Sequence, residues 1–507
     1  MMSSRPLVLH AIHCLTSGGA SQAMLALAAH ATSRVRILSL TPARPEAKAL
    51  AESAGIQVVD GPSFPQALRA LEDADIVLVH AWNAPELQEF LRSELPPARM
   101  IVWVHVAGRG IPQVVAASLL ERSDMVVASS SRCLQHVAMA GKSCPLSPRT
   151  ILPSCDLTRF STIGRKVAGH CTVGYVGSLE ENKLDPNVVA LFARVTIPGA
   201  EFLFVGDGSL RPVLERAAAA LGDGWKFRFA GHAKDIVPYL AEIDLFAFPM
   251  ARNSYASADL AIMEAMSAGI PAVVLVPDGH NDMIRHGIDG IVTHRDDEFV
   301  AAIATLARNP ARRAAMGAAA RERAIRVFSP PRAVREFDDA YAEVLALPTR
   351  RRPAIGRRRD QSGRPVPAGV DALLFAFDSK WPAVEESFRA EGGRAIAADM
   401  AIASAGTAWL GRSTGGLLHY LRRHPLDPWL IFWRALGFAG QGLPVRALAN
   451  FERARELGFP HSPRLELYRD ILLGARTHTG HAVAGTPEIP AFVESVLDRV
   501  GAVETSA

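Results

Sequence analysis

The amino-acid sequence predicts an α/β protein with two consecutive doubly wound domains and a mainly α-helical C-terminal extension. Short apolar runs rich in β-branched residues alternate with Ala- and Leu-rich amphipathic stretches, a pattern typical of parallel sheets with crossover helices. The pattern restarts after residue 155 and ends near residue 347. A chain of 507 residues is also too long for one hydrophobic core. Since ligands of such sheets bind at the carboxyl ends of the strands, we expect a cleft there.

The first α/β domain is predicted over residues 1–155, where Pro153 ends the pattern. Its predicted strands are Leu7–Ile12, Val35–Leu40, Ile76–His80, Met100–His105 and Met125–Ser129. Its predicted helices include Ser21–Ala31, Ala47–Ala54 and Pro85–Arg92.

The second α/β domain is predicted over residues 156–330. Its predicted strands are Thr172–Val176, Glu201–Val205, Lys226–Ala230, Leu245–Phe248 and Ala272–Val276. Its predicted helices are Asp185–Arg194, Leu210–Leu221, Ile236–Ala241 and Asp259–Ala268, and one further long helix follows over residues 331–347.

The last third of the chain has a different composition. Residues 348–369 contain seven arginines among prolines and glycines, which predicts a linker. Residues 370–507 are mostly helical in pattern. Within them, Gln441–Gly458 resembles the turn and second helix of a tetratricopeptide repeat, with Ala447, Phe451 and Ala454 at its packing positions. An ordinary helical hairpin is the alternative interpretation.

Composition excludes several classes of protein. A net charge of +4 without a clustered basic face does not indicate nucleic-acid binding. Five scattered cysteines show no metal-ligand spacing and are typical of a reducing compartment. Neither a secretory leader nor a run of about 18 apolar residues is evident, so we expect a cytoplasmic protein. The sequence also lacks the glycine motifs of dinucleotide oxidoreductases and of Walker-type NTPases.

Glycine motifs follow two predicted strands of the second domain. Gly177 comes directly after Thr172–Val176, where a residue without a Cβ lets a phosphate approach the backbone, and Lys183 lies six residues later. A Gly-Asp-Gly turn ends Glu201–Val205, and its Asp207 is expected to cap the next helix.

Taken in order, these motifs resemble those of the retaining glycosyltransferases with the GT-B fold, in particular family 4. The matching segments are Ser17–Ala20, Trp103–His105, Ile151–Phe160, Gly177 with Lys183, the Gly-Asp-Gly turn, Asp259–Val274, Met316–Arg321 and Val327–Ser329. The resemblance covers roughly residues 5–347. It implies two facing Rossmann-like domains with an interdomain cleft, and a helix over residues 331–347 that crosses back to the first domain.

The resemblance also implies roles for single residues. Glu264, at the start of a helix, would accept hydrogen bonds from ribose hydroxyls, because an ionised carboxylate only accepts. Lys183 would neutralise the leaving diphosphate, and His105 would face the donor sugar. The other donor-binding residues implied are Gly18, Gly19, Gly177, Ser178, Asp259 and Leu260. The co-substrate would be a nucleotide sugar, with neither a metal nor a resident cofactor.

The sequence departs from the family pattern at three positions. Ala256 replaces a glutamate that contacts the transferred sugar, Asp259 replaces a glycine near the diphosphate, and Ser178 replaces an arginine of many relatives. Two hypotheses follow. In the first, the chain is an active hexosyltransferase in polysaccharide biosynthesis whose other residues, such as Arg252, Asn253 and Tyr255, supply substitute contacts. In the second, it is a catalytically reduced GT-B module that acts as a scaffold.

The expected partners follow from the same resemblance. They are a nucleotide sugar and a glycan or lipid-linked acceptor. The arginine-rich linker is either a disordered connector or a contact to anionic lipid head groups at the inner face of the membrane. The helical tail is a candidate site for a protein partner.

Overall fold

A computed structural model describes residues 5–504 except 109, 141–143, 165–169, 223–225, 253, 277–281, 361, 379–380, 406–408, 411–413, 461 and 477–490. Asn253 therefore lies outside the described residues. The chain divides into two compact units. The first contains residues 1–81, 95–110 and 120–352, and the second contains residues 82–94, 111–119 and 353–507.

The first sheet of the first unit has seven parallel strands in the order β3-β2-β1-β4-β6-β7-β8. The strands of this part of the chain are β1 (Leu7–Ile12), β2 (Arg34–Ser39), β3 (Gln57–Asp60), β4 (Ile76–Ala81), β5 (Leu95–Ala98), β6 (Met100–Val104), β7 (Met125–Ala128) and β8 (Arg149–Thr150). Its helices are α1 (Gly19–Ala29), α2 (Pro45–Ser53), α3 (Phe64–Glu72), α4 (Pro85–Arg92), α5 (Ala117–Glu121) and α6 (Ser131–Ala140).

The second sheet has six parallel strands in the order β11-β10-β9-β12-β13-β14. They are β9 (Thr172–Val176), β10 (Glu201–Val205), β11 (Lys226–Gly231), β12 (Leu245–Pro249), β13 (Ala272–Leu275) and β14 (Gly290–Thr293). The helices are α7 (Thr158–Ser161), α8 (Val188–Ala193), α9 (Arg211–Ala219), α10 (Val237–Glu242), α11 (Leu260–Ser267), α12 (Asp296–Arg308), α13 (Pro310–Val327) and α14 (Pro330–Leu345). The predicted fold class, with two parallel-sheet Rossmann-like domains, is confirmed.

Helix α14 packs against the first sheet. The ring of Phe337 lies 4.7 Å from that of Trp103 on β6, and Ala333, Val344 and Val8 are buried in the same cluster. The end of the second α/β region is therefore anchored on the first sheet by apolar burial, the dominant favourable term in folding.

The predicted linker contains ordered structure. Its first arginines form β15 (Arg350–Arg352), which pairs antiparallel with β5. Arg352 is buried and its Nη2 atom donates to Asp124 Oδ2 over 2.7 Å. The interpretation of this stretch as a disordered connector is therefore wrong at these residues, because a buried guanidinium needs a fixed carboxylate partner.

The second unit is helical. Its helices from residue 368 onward are α15 (Ala368–Phe377), α16 (Pro382–Arg389), α17 (Gly392–Ala403), α18 (Leu417–Arg423), α19 (Pro428–Gly440), α20 (Pro444–Glu456), α21 (Pro463–Arg476) and α22 (Ala491–Glu504). Ala447, Phe451 and Ala454 are fully buried on α20, which packs on α19. This packing is what a helical hairpin requires, and the tetratricopeptide resemblance stays a prediction.

Helix α4 belongs to this second unit although it follows β4 in the chain. Tyr420 Oη donates to Asn83 Oδ1 over 2.7 Å, and His424 Nε2 lies 2.6 Å from Glu89 Oε1. Residues 82–94 therefore form part of the core of the helical unit. Across the described part of the chain, no helix is long and apolar enough to cross a membrane.

Candidate functional site

Two glycine turns meet at the carboxyl ends of β9 and β10. Gly177 and Gly206 have φ values of +151° and +146°, and a Cβ on Gly206 would lie 1.8 Å from the Gly177 carbonyl oxygen. Only glycine fits such a position. The Gly177 N–H donates to the Val205 carbonyl over 2.9 Å, so this amide is already used within the protein.

Asp207 does not cap the helix that follows it. Helix α9 begins at Arg211 and its N-cap residue is Leu210, which makes no side-chain cap hydrogen bond. Asp207 Oδ1 instead accepts from the Gly208 N–H over 2.8 Å, and Oδ2 lies 3.3 Å from Arg211 Nη1. The prediction was wrong because the loop between the carboxylate and the helix is longer than a cap allows.

Lys183 and Asp259, both predicted near the diphosphate, form an ion pair with each other. Lys183 Nζ lies 3.0 Å from Asp259 Oδ1, and the side chains are 19% and 10% exposed. Burial lowers the pKa of Lys183, but the Asp259 carboxylate outweighs this and raises it above its usual value. The lysine is therefore charged, and its charge is neutralised locally.

Glu264 lies in the middle of α11 and not at the start of a helix, because α11 begins four residues before it, at Leu260. It is 9% exposed, and burial raises its pKa to about 7. Among the described residues, no group forms a hydrogen bond with its carboxylate, although the positive charges of Arg159 and Lys183 act on it and lower its pKa against the effect of burial. A buried carboxylate without a hydrogen-bond donor is costly, which marks a position suited to a ligand with hydroxyl donors.

The glycine loop of the first domain faces the start of α11. Gly18 is the N-cap residue of α1 and Gly19 its first residue, and a Cβ on Gly19 would lie 3.7 Å from the side chain of Leu260. The Gly18 N–H donates to Thr16 Oγ1 over 3.1 Å. The first N–H groups of a helix have no partner inside the helix and favour an anion. The structure thus brings Gly18, Gly19 and Leu260 together.

The segment that departs from the family pattern packs against the first domain. The Ala107 N–H donates to the Tyr255 carbonyl over 2.8 Å, and Ala256 forms an antiparallel bridge with Val106. Ser257 Oγ lies 2.7 Å from Ser130 Oγ. Ala256 is therefore buried at an interdomain contact. Its bridge partner, Val106, directly follows His105 in the chain.

Two further residues of this contact were missed by sequence reasoning. Asp282 Oδ1 accepts from Ser131 Oγ over 2.7 Å at the start of α6, so the second domain caps a helix of the first. Arg132 is buried beside the carbonyls of Ser254 and Ala256, each 3.5 Å from its guanidinium. No local pattern indicates either contact.

Ser178 contributes its carbonyl oxygen, which accepts from Tyr175 Oη over 2.9 Å.

His105 is joined to two more histidines that sequence reasoning passed over. Its Nε2 lies 2.9 Å from His80 Nδ1, and His80 Nε2 lies 3.1 Å from His10 Nδ1. Burial lowers the pKa of His105 to about 3, so the ring is neutral near pH 7. One signal was available: each of three predicted apolar strands carries a histidine near its carboxyl end.

The described residues contain no group of three His, Cys, Asp or Glu side chains arranged to hold a metal ion.

Comparison with known proteins identifies part of the chain. Residues 170–309 match the family model described as Glycosyl transferases group 1. These residues resemble a group 1 glycosyltransferase domain. The domain contains β9 to β14 and includes Gly177, Lys183, Asp259 and Glu264. The predicted resemblance of the chain to GT-B glycosyltransferases is thereby confirmed.

Curated relatives that this chain resembles have glycosyltransferase names. The lipopolysaccharide core biosynthesis glycosyltransferase LpsE of Rhizobium meliloti is 29% identical over 174 residues, which cover 34% of this chain and 48% of that protein. A GDP-mannose-dependent phosphatidylinositol monomannoside mannosyltransferase of Corynebacterium glutamicum is 32% identical over 145 residues, 27% of this chain and 36% of that protein. The chain spans about half or less of the length of these relatives.

Solved structures of glycosyltransferases share the fold of this chain. The crystal structure of HepE from Anabaena in complex with UDP-glucose superposes with a TM-score of 0.55 at 18% identity, covering 67% of this chain and all of that one. A glycosyltransferase from Rickettsia africae gives a TM-score of 0.54 at 15% identity, covering 67% of this chain and 99% of that one. At these identities the likeness shows the fold alone.

Proposed function

We propose that this chain transfers a sugar, with retention, from a nucleotide sugar to a hydroxyl of a glycan or lipid-linked acceptor in polysaccharide or glycolipid biosynthesis. The observation that carries the proposal is the buried Glu264 carboxylate, which lacks a hydrogen-bond donor among the described residues and lies on the helix that faces the glycine loop. The glycosyltransferase names of the relatives support the same reaction class.

In this mechanism each domain contributes part of the donor site. Ionised Glu264 accepts hydrogen bonds from the ribose hydroxyls, and Lys183 with the N-terminus of α1 stabilises the diphosphate as it leaves. His105 contacts the donor sugar from the first domain. Departure of the nucleoside diphosphate breaks the bond from the anomeric carbon to the phosphate oxygen and leaves positive character on that carbon. The acceptor hydroxyl attacks on the same face, and its proton passes to the departing phosphate oxygen. A peripheral membrane contact through the arginine-rich segment of residues 348–369 is part of the same proposal. Fewer arginines are available for it than the sequence suggests, because Arg352 is buried in an ion pair with Asp124.

A second candidate function is supported by two contacts. Ala256 is held against Val106, and Lys183 is neutralised by Asp259. Both contacts reduce the number of side chains that can bind a nucleotide-sugar donor. They favour a catalytically reduced module that acts as a scaffold, in which the helical unit is the surface for a protein partner.

Donor binding is expected to depend on the ionisation of Glu264. Because its pKa is raised to about 7, only about a tenth of the molecules carry the ionised form at pH 6. Since the ionised form is the better acceptor, a nucleoside diphosphate sugar should bind about tenfold more weakly at pH 6 than at pH 8. Calorimetric titration with UDP-, GDP- and ADP-sugars at both pH values measures this.

Two variants make this test specific. Glu264→Gln should bind weakly and lose the pH dependence, whereas Glu322→Gln, on the exposed face of α13, should behave like the wild type. Binding of no donor in the panel by the wild-type protein would contradict the transferase proposal and favour the scaffold.

A further inference from the structure

Three histidines form a continuous hydrogen-bonded row across the first sheet. His10 on β1, His80 on β4 and the residue after β6, His105, lie on neighbouring strands. The ring nitrogens are 3.1 Å apart between His10 and His80, and 2.9 Å apart between His80 and His105. The His80 and His105 rings are stacked within 9° of parallel, and His10 and His80 are 1% and 0% exposed.

The row constrains where the protons lie. Burial lowers the pKa of all three rings, so each is neutral near pH 7 and carries one N–H. Each nitrogen-to-nitrogen contact needs one hydrogen. Since His80 has a single proton for two contacts, it donates in one of them and accepts in the other.

Only two arrangements satisfy both contacts. If His80 Nδ1 donates to His105, then His105 carries its proton on Nδ1. If His80 Nε2 donates to His10, then His105 donates through Nε2 and its Nδ1 is an acceptor. The partner at one ring nitrogen of a histidine sets the role of the other.

We propose that His80 and His10 are positioning residues: the row gives all three rings the same tautomer, so the protons of His10 and His80 determine which nitrogen of His105 carries its hydrogen. The assignment of His105 to the donor sugar rests on the proposed function, whereas the control of its tautomer rests on the geometry of the row. The ring of Trp103 packs on both His80 and His105, with centroids 5.3 Å and 4.5 Å away, and holds them in register.

The test is long-range ¹H–¹⁵N correlation spectroscopy of the full chain labelled with ¹⁵N-histidine, with His105 assigned from a His105→Gln sample. The wild-type protein is expected to show His105 as a single tautomer. His80→Phe keeps an aromatic ring but removes both nitrogens, and His105 should become a mixture of tautomers. A His105 tautomer that is unchanged in a folded His80→Phe protein would overturn the proposal.

Two further variants keep the test decisive. Trp103→Phe alters the packing against the His80 and His105 rings but leaves both nitrogen-to-nitrogen contacts in place, so a single His105 tautomer is expected. A mixture of His105 tautomers like that in His80→Phe would overturn the proposal. If His80→Phe does not fold, His10→Phe takes its place. This variant removes the contact at His80 Nε2, so the proton of His80 can lie on either of its ring nitrogens. Unchanged His105 signals in the His10→Phe protein would overturn the proposal that the row sets the tautomer of His105.

Kinetics separates this proposal from the proposed function. With an active donor, His80→Phe should lower kcat about 10- to 100-fold with little change in KM, the loss typical of removing a partner that orients a functional group. If the wild-type protein transfers no sugar, the proposed function fails, while the spectra still decide whether His80 controls His105.

Discussion

Asp371→Ala is expected to lower the free energy of unfolding of the helical unit by about 3–5 kcal/mol. Asp371 is 1% exposed, and its Oδ2 atom lies 2.5 Å from Arg92 Nη2. Its Oδ1 atom also accepts from the Arg358 N–H over 3.2 Å. Loss of the carboxylate leaves the Arg92 guanidinium, itself buried on α4, without its charge partner. Urea denaturation followed by tryptophan fluorescence measures the effect, since Trp381, Trp409, Trp429 and Trp433 all lie in this unit.

Matched variants separate the buried pair from a surface one. Glu385→Ala removes a half-buried partner of the exposed Arg389 and should change the free energy of unfolding by less than about 1 kcal/mol. The double variant Arg92→Met/Asp371→Leu should recover most of the loss, because two apolar residues replace both charges. Equal, small effects of Asp371→Ala and Glu385→Ala would show that the Arg92–Asp371 pair does not hold α4 in the helical unit.

Asp259→Asn is expected to strengthen binding of the nucleoside diphosphate that the chain recognises by roughly ten- to a hundredfold. The substitution removes a negative charge 3.0 Å from Lys183 Nζ and leaves the lysine free to contact the diphosphate. A hydrogen bond to a charged group is worth about 1.5–3 kcal/mol, which corresponds to this change in affinity. Calorimetric titration with UDP, GDP and ADP measures it.

Stability has to be followed alongside affinity in this experiment. A buried lysine without its carboxylate should lower the melting temperature, and Lys183→Met/Asp259→Asn should restore it while abolishing the gain in affinity. Asp297→Asn removes an exposed partner of Arg194 in the same domain and should leave both quantities unchanged. An unaltered affinity in Asp259→Asn would mean that Lys183 does not contact the diphosphate.

Local sequence patterns predicted most of the elements around the site. The strands Leu7–Ile12, Thr172–Val176 and Glu201–Val205 occur with their predicted bounds, because a run of apolar β-branched residues between turn residues leaves few alternatives. Strands β3, β5, β8, β14 and β15 were missed. They are short or partly polar, and pairing with a neighbouring strand stabilises them more than their own composition does.

The sequence by itself determined the two α/β regions, the glycine turn at Gly177 and the resemblance carried by the ordered motifs. These features depend on residues close together in the chain. Three features were decided by the tertiary structure alone. Lys183 is neutralised by Asp259, and His105 is hydrogen-bonded to His80, which in turn contacts His10. Helix α4 belongs to the helical unit. Each of these features depends on side chains that meet only after the sheets and helices have packed. The free energy of a buried charge or ring is set by the groups packed around it, and no local sequence pattern encodes those groups.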